Sequence, residues 1–397
     1  MKWPEVRLND ILTLEYGRAL RKDARNSAGD VPVAGSNGTD GWHTMALVDG
    51  PGIVIGRKGS AGKVTWFDTA FWPIDTTYYV KLKTICGFRW VYYLLNHLQL
   101  ERLAIVTGVP GLNRNDAYNQ RLKLPPLSEQ RRIVEILDPA DALRKKRAEA
   151  VAKAERILPA LFYKMFGDPA TNPMGWDVGT LEDGGAKVRY GLGQPPSTSP
   201  SGIPLIRATN IHKGKISSKD MILVDKSAVP RSRNAFLSAE EVIVVGSGAY
   251  TGDVAQVTED WEGAVAGYDL VITPGQDFCG EFLEAYLLTP HTQNNYFNNL
   301  KARAGQPHLN ASQLANTPIF FPPKSLQRKF AKRVWDLRQL RQKAENSSEA
   351  LDSLFNSLMH SAFTGDLTAK WREAHIQELL AEMEEQVKAL QLVTKSL

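Results

Sequence analysis

The residues best placed to do chemistry in this chain lie in a glycine-rich loop, Gly56-Arg57-Lys58-Gly59-Ser60-Ala61-Gly62-Lys63-Val64. A nucleotide-binding loop of the Walker type needs a set spacing to its Gly-Lys pair, then a hydroxyl residue for Mg²⁺. Here the spacing is wrong and Val64 follows Gly62-Lys63, so ATP hydrolysis by this chain is not expected. What remains is a loop whose backbone N–H groups are opened by glycine and flanked by Arg57, Lys58, Ser60 and Lys63. That suits DNA phosphates or a DNA groove, with a tight turn between two strands as the plainer alternative. Adenine methylation is excluded in the same way. It needs Asn or Asp, then Pro-Pro and an aromatic residue, to hold a flipped base, whereas Pro195-Pro196 sits between Gln194 and Ser197. This chain is not expected to carry out base chemistry, and no catalytic or metal-ligating residue is assigned.

The loop occurs twice. Gly246-Ser247-Gly248-Ala249-Tyr250-Thr251-Gly252-Asp253 keeps the glycines and puts Ser247, Tyr250 and Thr251 among them in place of basic residues, a change that alters base readout without altering a fold. The duplication is wider than the loop. Thr107-Gly108-Val109-Pro110-Gly111-Leu112-Asn113 and Pro125-Pro126-Leu127-Ser128-Glu129-Gln130-Arg131-Arg132-Ile133 return as Ala304-Gly305-Gln306-Pro307-His308-Leu309-Asn310 and Pro322-Pro323-Lys324-Ser325-Leu326-Gln327-Arg328-Lys329-Phe330. From 107 to 166 the register against 304 to 363 holds without a gap. Upstream, Trp3 matches Trp176, Tyr16-Gly17 matches Tyr190-Gly191, and Val31-Pro32-Val33 matches Ile203-Pro204-Leu205, with extra residues in the second copy. Two copies of one module suit a pseudo-twofold target.

Other candidate DNA contacts follow from the same frame. Arg18, Arg21 and Lys22 trail the first Tyr-Gly, Arg231 and Arg233 flank a predicted turn, and Arg303 precedes the second Pro-x-Leu-Asn element. Asn113 with Arg114, and Asn310 with Gln306 and His308, sit in that repeated element. Asn and Gln bond adenine bidentately, although a repeated Leu-Asn also fits a turn whose Asn bonds backbone. Arg207 and Asn210 belong to Ile206-Arg207-Ala208-Thr209-Asn210, whose counterpart around Asn37 keeps the Asn and loses the Arg.

The elements that must position these residues are of two kinds. Residues 1–124 and 170–323 carry short runs rich in Val, Ile, Trp and Tyr between Gly, Pro and Asn, which read as strands and turns, with helices at 87–101 and 280–300. Residues 125–169 and 324–397 read as helix. Ser128 to Phe166 and Ser325 to Phe363 lack glycine, and each starts after Pro-Pro with a serine able to cap. Leu337, Leu340, Ala344, Leu351, Leu354 and Leu358 follow coiled-coil spacing, as do Ile133, Ile136, Leu143, Ala150, Ile157 and Leu161. A new helix is expected to start at Asp138-Pro139, and a kink at Pro159. Paired antiparallel, such helices span on the order of 55 Å at about 1.5 Å per residue, enough to space two modules. A further helix is predicted from Ala369 to about Leu392, either folded back on the protein or presented to a partner.

Forty-three per cent hydrophobic residues over 397 positions is enough for two to three cores, and the net charge of +5 leans toward an anionic partner. Cys86 and Cys279 lie in different halves without metal-ligand spacing and read as reduced buried thiols, with no zinc site expected. No apolar run reaches a membrane span, and Met1-Lys2-Trp3-Pro4 does not open a signal peptide, which implies a cytoplasmic protein.

Pro125 to Asp138, leading into Phe166-Gly167-Asp168-Pro169 and a second domain opening at Gly175-Trp176, resembles the specificity subunit of type I restriction-modification systems. The resemblance covers nearly the whole chain, although Leu326 stands where Glu129 does and Trp335-Asp336 replaces Asp138-Pro139. It implies an α/β (α+β) fold of two target recognition domains joined by two long antiparallel coiled-coil helices. It also implies a non-catalytic reader of a bipartite site in double-stranded DNA. The partners would be two methyltransferase subunits and, for cleavage, translocase-nuclease subunits, which would carry S-adenosylmethionine, ATP and Mg²⁺ while this chain binds no cofactor. The alternatives are a coiled-coil scaffold that assembles proteins without reading sequence, and the detached half of a fused nuclease-methyltransferase, against which the absent catalytic motifs count.

Overall fold

The computed structural model describes residues 2–105, 108–230, 234–301 and 308–395. The chain divides into two compact units, Met1–Arg147 with Ser347–Leu397, and Ala148–Asn346.

In the first unit a four-stranded antiparallel sheet runs in the order Leu12–Tyr16, Thr77–Leu82, Gly52–Gly56, Val64–Phe67. Gly52-Ile53-Val54-Ile55-Gly56 is apolar on both faces because both faces are covered. Ile53 and Ile55 enter the main core with Trp90 and Leu94 of helix Phe88–His97, while Val54 meets Ala34, Phe67 and Phe71 under a second sheet. Full burial of such side chains is worth about 1.5–3 kcal/mol each. In the second sheet, Val31–Gly35 pairs antiparallel with Gly38–His43 and parallel with Trp72–Pro73. Glu5–Arg7 and Arg121–Lys123 form a separate ribbon.

The second unit repeats this topology. Its four-stranded sheet is Lys187–Tyr190, Leu270–Thr273, Val242–Val244, Val254–Gln256, again antiparallel throughout. Thr198–Ile206 pairs antiparallel with Ile222–Val224 and parallel with Val265–Ala266, and Val178–Thr180 with Pro318–Phe320. Val242 and Val244 face the core built on Phe282 of helix Gly280–Leu287, and Ile243 and Val245 face the other side. The extra residues of the second copy include the hairpin Ile211–His212/Lys215–Ile216.

The helical regions are built on α1 (Leu127–Ala154), α2 (Ile157–Phe166), α3 (Lys324–Thr364) and α4 (Ile376–Lys395). Three expectations need correction. First, Pro139 starts no new helix: α1 runs through it, and Asp138 bonds Arg89 and Tyr93 instead of capping. Second, the break comes at 155–156, which leaves Pro159 in the first turn of α2, where its missing N–H has no intrahelical acceptor to lose. Third, the helices start before their serines. Ser128 lies inside α1, its N–H and hydroxyl both donated to Glu382 of α4.

In the second unit Glu155 pairs with Arg341 at 2.6 Å while Phe166 meets Phe330, so the segments run antiparallel. In the first, Arg144 lies 3.4 Å from Asp352 and 4.7 Å from the Phe355 ring centroid. The heptad-like spacing misassigned part of the seam. Leu143, Ile157, Leu340 and Leu354 are exposed, and burial instead falls on Ile133, Leu137, Phe355 and Met359 in one unit and on Phe162, Phe166, Phe330 and Val334 in the other. Ion pairs along the helices take the place of apolar knobs. α4 folds back on the first unit through buried Leu379 and the Glu382 contacts. Among the described residues no helix is long and apolar enough to cross a membrane.

The repeated glutamine has a structural task in both copies. Gln130 accepts from Gly87 N–H at 2.7 Å and donates to Pro125 C=O at 2.9 Å. Gln327 accepts from Cys279 N–H at 2.9 Å and donates to Pro322 C=O at 2.9 Å. Each is a buried amide with both ends bonded, tying the start of a long helix to the start of the helix beside the sheet. Cys86 and Cys279 are both buried, and burial pushes the Cys86 thiol up to about 12.

Candidate nucleic-acid interface

In each unit three segments distant in sequence meet at one end of the four-stranded sheet. In the first these are the strand end at Tyr16, the loop Gly56–Lys63, and the Pro-x-Leu-Asn segment around Leu112. Arg57 C=O accepts from Leu112 N–H at 2.9 Å, Gly59 N–H donates to Pro110 C=O at 2.9 Å, and Lys58 bridges Gly111. In the second, Gly246 C=O accepts from Leu309 N–H at 2.8 Å and Ser247 bridges His308, so that on the sheet frame Gly246 stands at Arg57 and Ser247 at Lys58, one residue off the sequence match of Gly56 with Gly246. The same backbone junction is therefore built twice.

The glycines of the first loop make the turn and do not open a phosphate cradle. The N–H groups of Gly56, Arg57, Lys58, Gly59, Ala61, Gly62 and Lys63 all donate to carbonyls, some within the loop and others on Thr76 and Pro110. The expectation of free backbone donors is thus corrected, and contact at this loop is left to side chains. Gly62 adopts φ +87°, and a Cβ there would lie 2.3 Å from Glu101 N.

Side chains distinguish the two junctions. Tyr16 is 51% exposed, with Arg57 Cζ 5.3 Å and Arg114 Cζ 5.2 Å from its ring centroid. Lys58 is exposed, and Lys63 bonds Asn37 through Oδ1 at 2.6 Å and the carbonyl at 3.0 Å. In the second unit Tyr190 accepts Ala311 N–H at 3.1 Å and lies 6.4 Å from exposed Tyr268. Asp253 stands where Lys63 does, 3.2 Å from His212 Nδ1. Beneath the junction, Gly17 N–H donates to Thr77 C=O and Gly191 N–H to Asp269 C=O, which makes Thr77 and Asp269 equivalents. Burial raises the Asp269 carboxyl to about 6, against the opposing effect of N–H donors from Gly246 and Ala208.

The other sequence candidates fall into distinct places. Arg18, Arg21 and Lys22 are exposed in the segment leaving Tyr16-Gly17, with Arg18 C=O accepting Trp72 Nε1–H at 3.0 Å. Ser60 is half-buried and Tyr250 is exposed at the loop tips. Asn113 caps helix Arg114–Tyr118 by accepting Asn115 N–H, and Asn310 caps Ala311–Ala315 in a capping box with Gln313. Arg207 donates to Asp220 C=O at 2.8 Å. Two candidates are corrected. Asn210 is 1% exposed, with its amide donating to the Ser217 and Lys219 carbonyls, and Thr251 is buried with its hydroxyl on Gly248 C=O; both shape turns. Arg231, Arg233, Arg303 and Gln306 lie outside the described residues. Sequence reasoning misses Tyr16, Tyr190 and Tyr268 as candidates. The signal for the first two is an aromatic before glycine repeated in both copies, which on the sequence alone reads as framework.

A family model described as the type I restriction modification DNA specificity domain matches residues 1–153 and 197–349. The type I restriction enzyme EcoKI specificity subunit of Escherichia coli strain K12 is 21% identical over 271 residues, covering 63% of this chain and 58% of that protein. The EcoBI specificity subunit of Escherichia coli is 23% identical over 295 residues, covering 66% and 62%. The chain thus spans less than two thirds of the length of these relatives. In fold, the S subunit of a type I restriction-modification system from M. genitalium superposes with a TM-score of 0.60 at 15% identity, covering 91% of this chain and 96% of that one.

Proposed function

The chain belongs to the type I restriction-modification DNA specificity family, and on that premise we propose that it is the sequence-reading, non-catalytic subunit of a DNA methyltransferase complex, each unit taking one half of a split target in double-stranded DNA. The observation that carries this reading is the junction built twice on one backbone with different side chains: Arg57, Lys58, Lys63 and Arg114 in one copy, and Gly246, Ser247, Asp253 and Ala311 in the other. A protein that only bridged partners would have no use for an exposed junction so varied on so constant a frame.

Under this reading α1 and α3 set the spacer between half-sites and dock two methyltransferase subunits, with exposed Leu143, Trp335, Leu340 and Leu354 as apolar anchors. Translocase-nuclease subunits join for cleavage. S-adenosylmethionine, ATP and Mg²⁺ belong to the partner subunits, and this chain binds none of them. The test is co-expression with a cognate methyltransferase subunit and mapping of adenine methylation by single-molecule sequencing. A motif of two defined halves around a fixed unspecified spacer is expected. A stable, cofactor-competent complex that methylates without such a motif would overturn the reading in favour of a scaffold.

A further inference from the structure

The arginines that hold this protein together have carboxylate partners: Arg25 with Asp40, Arg89 with Asp138, Arg189 with Glu241, Arg338 with Glu284 and Arg372 with Glu129. Arg57 and Arg114 differ. Both guanidiniums lie within 5.3 Å of the exposed Tyr16 ring, and among the described residues neither meets a carboxylate. Among the described residues Arg57 Nε is buried without a hydrogen-bond partner, and Arg114 makes one hydrogen bond, a long 3.4 Å contact to Leu14 C=O, beside a second ring, Tyr118, at 5.8 Å. Two like charges gathered on one aromatic residue, with no carboxylate against them among the described residues, leave their donor forks for a ligand rich in acceptors.

Two kinds of DNA acceptor compete for them, phosphate oxygens and the O6/N7 edge of guanine. Phosphate contact asks only for charge, which a mobile lysine such as Lys58 supplies. A guanidinium steadied by a ring presents paired donors at a fixed angle, and the guanine major-groove edge is the acceptor pair that matches it. The duplication confines the pair to one half-site, because Gly246 and Ala311 occupy the places of Arg57 and Arg114 on the shared frame.

We propose that Arg57 and Arg114, steadied on Tyr16, read guanine O6 and N7 in the half-site taken by the first unit. Tyr16 is the positioning residue. The proposal rests on the reading of the chain as a split-site specificity subunit, and the experiment keeps the two apart. With the full chain in complex with its methyltransferase subunits and the methylation motif in hand, duplexes carry 7-deazaguanine, which lacks N7 and leaves every phosphate intact, at each guanine in turn.

At one or two guanines of a single half, binding by the unaltered complex is expected to fall roughly tenfold. The same replacement should cost complexes carrying Arg57→Ala or Arg114→Ala little more. Arg114→Lys should lose this discrimination while keeping the salt dependence of binding, and Tyr16→Leu should blunt it in the same half. If no guanine in either half responds in the unaltered complex, or if the response is undiminished in both arginine variants, the guanine assignment is overturned while the split-site reading stands. If no split motif exists, the reading itself fails.

Discussion

Tyr16 and Tyr190 occupy the same place, the last residue of an edge strand before a glycine, and are used in opposite ways. Tyr16 leaves its ring open and gathers Arg57 and Arg114 around it. Tyr190 accepts the Ala311 N–H with its hydroxyl, tying the Pro-x-Leu-Asn segment back to the sheet, and its neighbour Tyr268 supplies the open ring instead. The contrast continues below the surface, where neutral Thr77 is replaced by the buried acid Asp269, and along the loop, where Lys63 becomes Asp253. Sheet order, strand direction and the loop-to-segment bridge are unchanged. A module whose backbone bonds complete its own turns is free to exchange what it presents, because the frame does not depend on the presented side chains.

The largest effect expected from this difference is a change of target. Exchange of residues 174–321 for the corresponding domain of a relative should replace one half of the methylated motif and leave the other half and the spacer intact. Mapping methylation before and after the exchange checks it, and a motif altered in both halves would break the idea that the copies read independently. Next in size is the turn itself. Gly62→Ala forces a Cβ to within 2.3 Å of Glu101 N at φ +87°, and should destabilise the first unit by on the order of 3 kcal/mol. Gly248→Ala in the second loop meets nothing within 4 Å, so only its φ of +86° opposes it, at about 1–2 kcal/mol. Denaturant midpoints of the two variants would rank them; equal losses would mean that the close approach at Gly62 adds nothing to the cost of its φ.

Asp269 gives the second unit a pH term that Thr77 denies the first. Its folded carboxyl is raised from an ordinary 3.8 to about 6 by burial, so the folded state holds the proton more tightly than the unfolded chain. That stabilisation is complete below about pH 4 and is lost as pH rises toward 6 and beyond, amounting to roughly 2–3 kcal/mol. Asp269→Asn keeps an acceptor for Gly246 N–H and cannot ionise. The gap between variant and unaltered protein should therefore widen in favour of the variant from pH 4 to 7, as read by thermal melts. A gap independent of pH would show that the carboxylate is stabilised in some other way.

How much of this is legible in the sequence depends on how local each cause is. The repeated block, the paired Tyr-Gly and the strand-rich character of both modules are written in neighbouring residues, and the structure has them. The fate of the loop donors is not legible, because Arg57, Lys58 and Gly59 donate to Thr76 and Pro110, far along the chain. Asn210 looks like a DNA contact in the sequence and proves a buried clamp for Ser217 and Lys219, which only the following turn could reveal. The helical seam fails for a related reason. Leucine spacing marks which residues could face a partner helix, but Arg144–Asp352 and Arg341–Glu155 fix which face is used, and they leave Leu340 and Leu354 outside.

The smallest expected effect is also the sharpest test of whether the junctions differ in charge as well as in shape. Lys58 is exposed at the first loop, where Ser247 stands in the second, and each phosphate neutralised by a lysine contributes about 0.9 to the slope of log affinity against log salt. Lys58→Ala should make that slope shallower by about this amount and weaken binding to matched and mismatched sites alike, since phosphate contact carries no sequence information. Ser247→Ala should leave the slope unchanged, and whatever it alters should depend on the base pair offered. Titrations at several salt concentrations, on matched and mismatched duplexes, separate the two. A slope unmoved by Lys58→Ala would put the phosphates elsewhere, and Arg18, Arg21 and Lys22, exposed on the segment that leaves Tyr16-Gly17, would be the next cations to remove.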